Sequence, residues 1–175
     1  YAVSQNLKVL QPTNLKDESF LEDLKNLNAN LQVVVAFRML PKAVWQMSEL
    51  GTFNLHASLL PQYRGAAPIN WAIINSEEKS GVTTFFIDEK IDTGSIIANK
   101  EVVIEENETA ETLHDKLMDE GSKLVLETLE LIEKRKANPK PQPKTSNLKE
   151  APKLTSENTR IDWTKPGKEI ASFIR

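Results

Sequence analysis

Three short apolar runs, "LQVVVAF" at 31–37, "GTFNLHAS" at 51–58 and "GVTTFFI" at 81–87, are separated by segments of helical periodicity, and this alternation constrains the fold most. "DESFLEDLKNLNA" puts Phe20, Leu21, Leu24 and Leu27 on one helical face before the first run. "PKAVWQMSEL", with Pro41 suited to a first helical turn, precedes the second run, and "APINWAIINSEE" precedes the third. Helix and strand taking turns predicts an α/β architecture with an open, mostly parallel sheet, and "VVV" has the composition of a strand buried on both faces. In such a sheet ligands sit in the crevice beyond the carboxyl ends of the strands, so the strand ends are where function is expected.

The remaining elements follow the same logic. "GVTTFFIDEKIDTGSIIANKEVVI" offers two extended segments joined by an acidic connection, a hairpin-like excursion. "TAETLHDKLMDEGSKLVLETLELIEKRK" is the strongest helical signal, opened by a capping-type Thr109 and closed by basic residues that suit the helix dipole. Residues 1–137 therefore read as one domain incomplete at its start, 138–159, rich in Pro and Lys, as a linker-like crossing, and 160–175 as the start of a further connection. The chain opens on Tyr1, with "YAVSQNLKVLQP" reading as a last helical turn that runs into a strand at Val9 and Leu10, and it stops with helical periodicity through Ile170, Phe173 and Ile174. Both ends are expected to be cut.

Composition narrows the function classes. A formal net charge of −3 supplies no global attraction to nucleic acid, so DNA is not an expected partner and any polyanion must be held by a local patch. The absence of cysteine removes disulfides, thiol nucleophiles and thiolate-ligated zinc, and fits a reducing compartment. No apolar run has the length of a membrane span or of a secretory leader, so the expected location is cytoplasmic. Two histidines in unlike settings make no metal site, and nothing resembles a P-loop or a complete G-x-G-x-x-G turn.

Chemistry concentrates in "FNLHASLLPQYRGAAPINW". Asn54 and His56 are two apart, so on a strand they share a face. An Asn amide can donate to a developing oxyanion, and a His can give or take a proton near neutral pH. The competing reading is a hydrogen-bonded pair that serves the sheet, which is the commoner fate of buried polar residues. A carboxylate would orient the histidine, and Asp88, Glu89 and Asp92 are open candidates. The "RGAAP" loop suits either close ligand approach or close packing, and Arg64 either a phosphate or carboxylate or the pinning of neighbouring groups. His114, beside Asp115 and Lys116 in an amphipathic helix, reads as solvated or half-buried.

Asn-x-His, the "SLLP" after it, "RGAAPI" and the downstream Asp-Thr-Gly, in that order, resemble the formyltransferase family that uses 10-formyltetrahydrofolate, and "RIDW" at 160–163 resembles its tRNA-directed branch. The resemblance implies a Rossmann-like formyltransferase fold and formyl transfer from 10-formyltetrahydrofolate to the α-amino group of methionine on initiator tRNA, with no metal. It implies a catalytic trio of Asn54, His56 and Asp92. It implies folate contacts from Arg38, Met39 and Leu40 on one wall, Ile87, Asp88, Glu89 and Ile91 on the other, and Ser58, Leu59, Leu60 and Pro61 between, with Arg64 and Gly65 on the substrate side. Elements upstream of residue 1 and a β-barrel beyond "RIDW" would complete the family pattern, so little turnover and exposed apolar surface are expected of these residues alone. Relatives that formylate an amino sugar nucleotide or glycinamide ribonucleotide, or that hydrolyse the donor, are the alternatives, along with a noncatalytic folate-binding module.

Overall fold

The structure, a computed structural model, describes residues 1–36 and 39–175. A 3₁₀ turn at Val3–Gln5 leads into irregular chain, so Val9 and Leu10 form no strand. Helix α1 (Glu18–Lys25) is opened by Asp17, whose carboxylate accepts from the amides of Ser19 and Phe20. Phe20, Leu21 and Leu24 are half-buried, and Leu27 lies past the helix end, exposed. Strand β1 (Gln32–Val35) is followed by the single-turn α2 (Lys42–Trp45), which Pro41 precedes as N-cap.

Strand β2 (Thr52–His56), the two-residue β3 (Arg64–Gly65), α3 (Pro68–Ile74), β4 (Lys79–Phe86), β5 (Ile96–Val103) and the 24-residue α4 (Ala110–Glu133) complete the main body. Strand β6 (Glu150–Ala151) and α5 (Gly167–Ile174) follow. The main sheet has the order β1-β2-β4-β5. β1 and β2 run parallel, while β2/β4 and β4/β5 are antiparallel, so the α/β sheet is mixed among the described residues. The hairpin-like excursion is β4/β5; the antiparallel β2/β4 pairing is long-range and leaves no mark in the periodicity.

β1 is not buried on both faces as its composition suggested. Val33 and Val35 are 42% and 58% exposed, and burial alternates along the strand. Strands β2 and β4 are the buried ones. On one face, Leu55 pairs with Thr84, which meets Thr128 of α4 through a 2.8 Å hydroxyl hydrogen bond. Leu113, Leu117, Leu124 and Ile132 form the buried stripe of α4, and with Ala72, Ile73 and Val82 they fill the core. α4 starts at Thr109 in a reciprocal capping box with Thr112. On the other face of the sheet, Asn54 is opposite Phe85 and His56 opposite Thr83. Period-two geometry thus separates the packing side chains from the chemical ones.

Residues 138–159 do not hang free. Lys140 exchanges backbone hydrogen bonds with Ile96, and Glu150–Ala151 pairs in parallel with Arg64–Gly65. This strap crosses the loops at the carboxyl end of β2.

Candidate active site

His56 is the last residue of β2, and Asn54 precedes it on the same face; they are 7% and 3% exposed. Nε2 of His56 lies 2.8 Å from the Tyr63 carbonyl. A carbonyl only accepts, so Nε2 carries a proton and Nδ1 is the nitrogen turned toward chemistry. Nδ1 is 3.9 Å from Oδ2 of Asp92, which is 8% exposed, and the Phe85 ring stands edge-on to the imidazole. Asp88 and Glu89, the other acids weighed from sequence, face elsewhere: Asp88 accepts from the Lys90 amide and the Thr93 hydroxyl, and Glu89 pairs with Lys42 at 2.7 Å. That hydrogen bond to Lys42, reinforced by its charge, holds Glu89 below the usual carboxylate range.

The Asn54 amide is the anomaly of the site. Its Oδ1 is buried and has no hydrogen-bond partner among the described residues. Leaving a buried polar atom unpaired is unfavourable by about 1–3 kcal/mol, so such atoms mark places where a partner is supplied from outside the chain.

The Asp-Thr-Gly turn holds Asp92 by local sterics. Asp92 itself has φ +53°, Thr93 closes onto Asp88, and a Cβ on residue 94 would lie 1.6 Å from the Phe86 carbonyl oxygen, so Gly94 is obligatory. Across from it, the Gly65 amide donates to Oδ2 of Asp92 at 2.9 Å. Gly65 has φ +124°, and a Cβ there would lie 2.4 Å from the Ala151 carbonyl oxygen. "RGAAP" therefore serves both close packing, against the strap, and the acid of the site.

These groups border an open cavity of about 1500 Å³, larger than the ~300–1,000 Å³ of most small-molecule pockets. Met39, Leu40, Ile87, Asp88, Glu89 and Ile91 line it together with Asn54, His56, Gly65 and Asp92. Ser58, Leu59, Leu60, Pro61 and Arg64 do not. Ser58 bonds the Gln62 carbonyl and accepts from Thr83 at its own carbonyl, Leu60 is buried, and Leu59 packs over Gly81, so this segment turns into the body of the protein. The Arg64 guanidinium is bound to Oε1 of Gln142, at 2.6 and 3.2 Å. Arg38 lies outside the described residues. His114 is exposed at the cavity edge and pairs with Asp115. Among the described residues no cluster of His, Cys, Asp or Glu is arranged to hold a metal ion.

Two residues that touch this machinery carry no sequence signal of their own. Tyr63, at φ +59°, supplies the carbonyl for His56 and buries its ring. Gln142 sits among prolines and lysines without periodicity.

The family model described as formyl transferase matches residues 2–129. The chain belongs to the formyl transferase family. It is 64% identical over its whole length to the methionyl-tRNA formyltransferase of Flavobacterium johnsoniae and 54% identical to that of Parabacteroides distasonis. It covers 56% and 55% of those two proteins, so it spans about half the length of the curated relatives it matches. Among solved structures, the N-formyltransferase from Helicobacter canadensis in complex with folinic acid and dTDP-3-aminofucose superposes with a TM-score of 0.78 at 26% identity, over 99% of this chain and 61% of that one. HypX from Aquifex aeolicus in complex with tetrahydrofolic acid gives 0.74 at 25% identity, over 88% and 27%. The mixed sheet is thus that of a formyl transferase, and the family agrees with the resemblance carried by Asn-x-His and Asp-Thr-Gly. No helix among the described residues is long and apolar enough to cross a membrane.

Proposed function

We propose that this chain carries the catalytic residues of a cytoplasmic enzyme that moves a formyl group from 10-formyltetrahydrofolate to the α-amino group of methionine on initiator tRNA. The observation that carries the chemistry is the convergence of Asn54 and His56, on one face of β2, with Asp92 3.9 Å from His56 Nδ1 at an open cavity. The relatives at 64% and 54% identity, both named methionyl-tRNA formyltransferases, support the acceptor.

In this reading the donor enters between Met39 and Leu40 on one side and Ile87 and Ile91 on the other, with its formyl carbon toward Asn54. The free amine attacks that carbon, and the carbonyl π electrons move onto oxygen. The Asn54 amide and the Nδ1–H of protonated His56 donate to this oxyanion, and Asp92 stabilises the imidazolium. The new ammonium loses its proton, N10 of the folate gains one, and the C–N10 bond breaks to leave a formamide and tetrahydrofolate. No metal or covalent enzyme intermediate enters the balance.

An amino sugar nucleotide as acceptor is the second reading, favoured by the likeness to the Helicobacter canadensis enzyme, though at far lower identity. The test is transfer of labelled formyl from 10-formyltetrahydrofolate by the whole protein carrying this chain, with methionyl initiator tRNA and dTDP-amino sugars offered in parallel. Transfer to the tRNA alone supports the proposal; transfer to the sugar alone replaces it. Folate binding without transfer to either acceptor would make this a binding module.

A further inference from the structure

The strap contributes one side chain that reaches both loops of the site. Gln142 Nε2 donates to the Asp92 carbonyl at 2.8 Å and to the Gly94 carbonyl at 2.9 Å, while its Oε1 accepts from the Arg64 guanidinium. The residue after Arg64 is Gly65, whose amide holds the Asp92 carboxylate. The loop that carries the acid and the loop that orients it are therefore connected through one amide. All of the Gln142 hydrogen-bonding atoms are engaged, two donors and one acceptor, in a half-buried position. The strap itself is fixed on either side of it, by the Lys140–Ile96 bridge before and the Glu150–Ala151 pairing after. An amide clamped at both ends of its own segment is a rigid spacer rather than a surface decoration.

We propose that Gln142 is a positioning residue of the active site: by tying the Arg64–Gly65 loop to the Asp92–Gly94 turn it sets the separation of the Asp92 carboxylate from His56 Nδ1. Asp92 sits at a left-handed φ in a turn whose other internal bonds run through Thr93 and Asp88, so without the amide its carbonyl and that of Gly94 lose their donors and the turn is held less tightly. Arg64 acts through the same contact, which gives this arginine a structural duty in place of direct substrate binding. The inference deepens the proposed function, since it assumes that the His56–Asp92 pair is the working pair.

The coupling between the two can be read without turnover. His56 and His114 are the only histidines, so the His56 imidazole resonance is assigned by its loss in His56→Gln, and its chemical shift is compared by NMR at one fixed pH in the protein and in Asp92→Asn. Asp92 is the only charged side chain within ion-pair distance of His56 among the described residues. Its removal is expected to move the His56 ring resonance, because the charge that faces Nδ1 is lost. In a Gln142→Ala background the same Asp92→Asn step is expected to move that resonance by less than half as much, with amide dispersion unchanged. An undiminished step in folded Gln142→Ala overturns the proposal. If that variant does not fold, Gln142→Glu, which keeps the shape and the Arg64 contact but loses the donors, carries the same comparison. Loss of fold in both overturns it too, since Gln142 would then be a folding determinant. Formyl transfer by the whole protein is measured alongside: intact coupling with no transfer would sink the proposed function and leave the positioning role standing.

Discussion

Replacement of Asn54 by alanine separates a chemical role from a structural one. A buried three-atom truncation of this size, Leu→Ala for example, typically costs ~2–5 kcal/mol when it leaves a closed void. Asn54 borders the open cavity of about 1500 Å³, so the truncation adds to existing space and leaves no sealed hole. It also removes an acceptor, Oδ1, that is buried without a partner among the described residues, and relief of that penalty is worth about 1–3 kcal/mol in the opposite direction. These contributions oppose each other, and the stability of Asn54→Ala is expected to stay within about 1 kcal/mol of the unaltered protein. The effect on transfer is of another order. One oxyanion donor is worth about 10²–10³ in kcat, or ~2.7–4 kcal/mol, and a loss in that range is expected. Urea unfolding followed by circular dichroism gives the first quantity, and labelled formyl transfer at saturating donor gives the second. A stability loss beyond about 2 kcal/mol together with less than a tenfold loss of transfer would refute this reasoning and make Asn54 a structural amide of the sheet.

Two further outcomes test the surroundings of the site. Gly94→Ala should distort the Asp-Thr-Gly turn, because its Cβ would meet the Phe86 carbonyl oxygen at 1.6 Å; a lowered urea midpoint is expected, and an unchanged one would show that the turn is not held as described. Burial, and then the hydrogen bond to Glu77, push the Tyr63 phenol well above its ordinary value. Above about pH 10, where an unfolded tyrosine ionises, the folded state therefore retains a proton that the unfolded state loses. The stabilisation is complete below that pH and is lost as pH rises through the folded value, so the alkaline decline in thermal midpoint should be shallower in Tyr63→Phe; an identical decline would contradict the assignment.

The local elements were legible where short-range physics decides them. The stripe of α4, the cap at Thr109 and the shared face of Asn54 and His56 all follow from periodicity. What periodicity does not carry is how strands pair. The antiparallel β2/β4 contact and the exposure of Val33 and Val35 depend on neighbours distant in sequence. Which acid faces His56 was open on spacing alone; in the structure it is Asp92, held by the left-handed turn and the Gly65 amide. Gln142 and Tyr63 were invisible for a related reason. Each acts through a backbone carbonyl or to one, and such contacts leave no pattern of residue types.

The residues assigned to folate divide in the same way. Those on the β4–β5 connection and at Met39 and Leu40 border the cavity, whereas Ser58, Leu59, Leu60 and Pro61 are spent on the turn that carries Tyr63 to His56.

The central claim is that the cavity beside Asn54, His56 and Asp92 takes a formyl folate. Calorimetric titration of the protein with a nonhydrolysable 10-formyltetrahydrofolate analogue tests it, with Ile91→Asp as the companion because Ile91 is 61% exposed and lines the cavity without supporting the core. The expected result is saturable one-to-one binding, weakened at least about tenfold when a charge replaces this apolar wall. A folded protein that binds no analogue, or one whose affinity Ile91→Asp leaves untouched, would contradict the account.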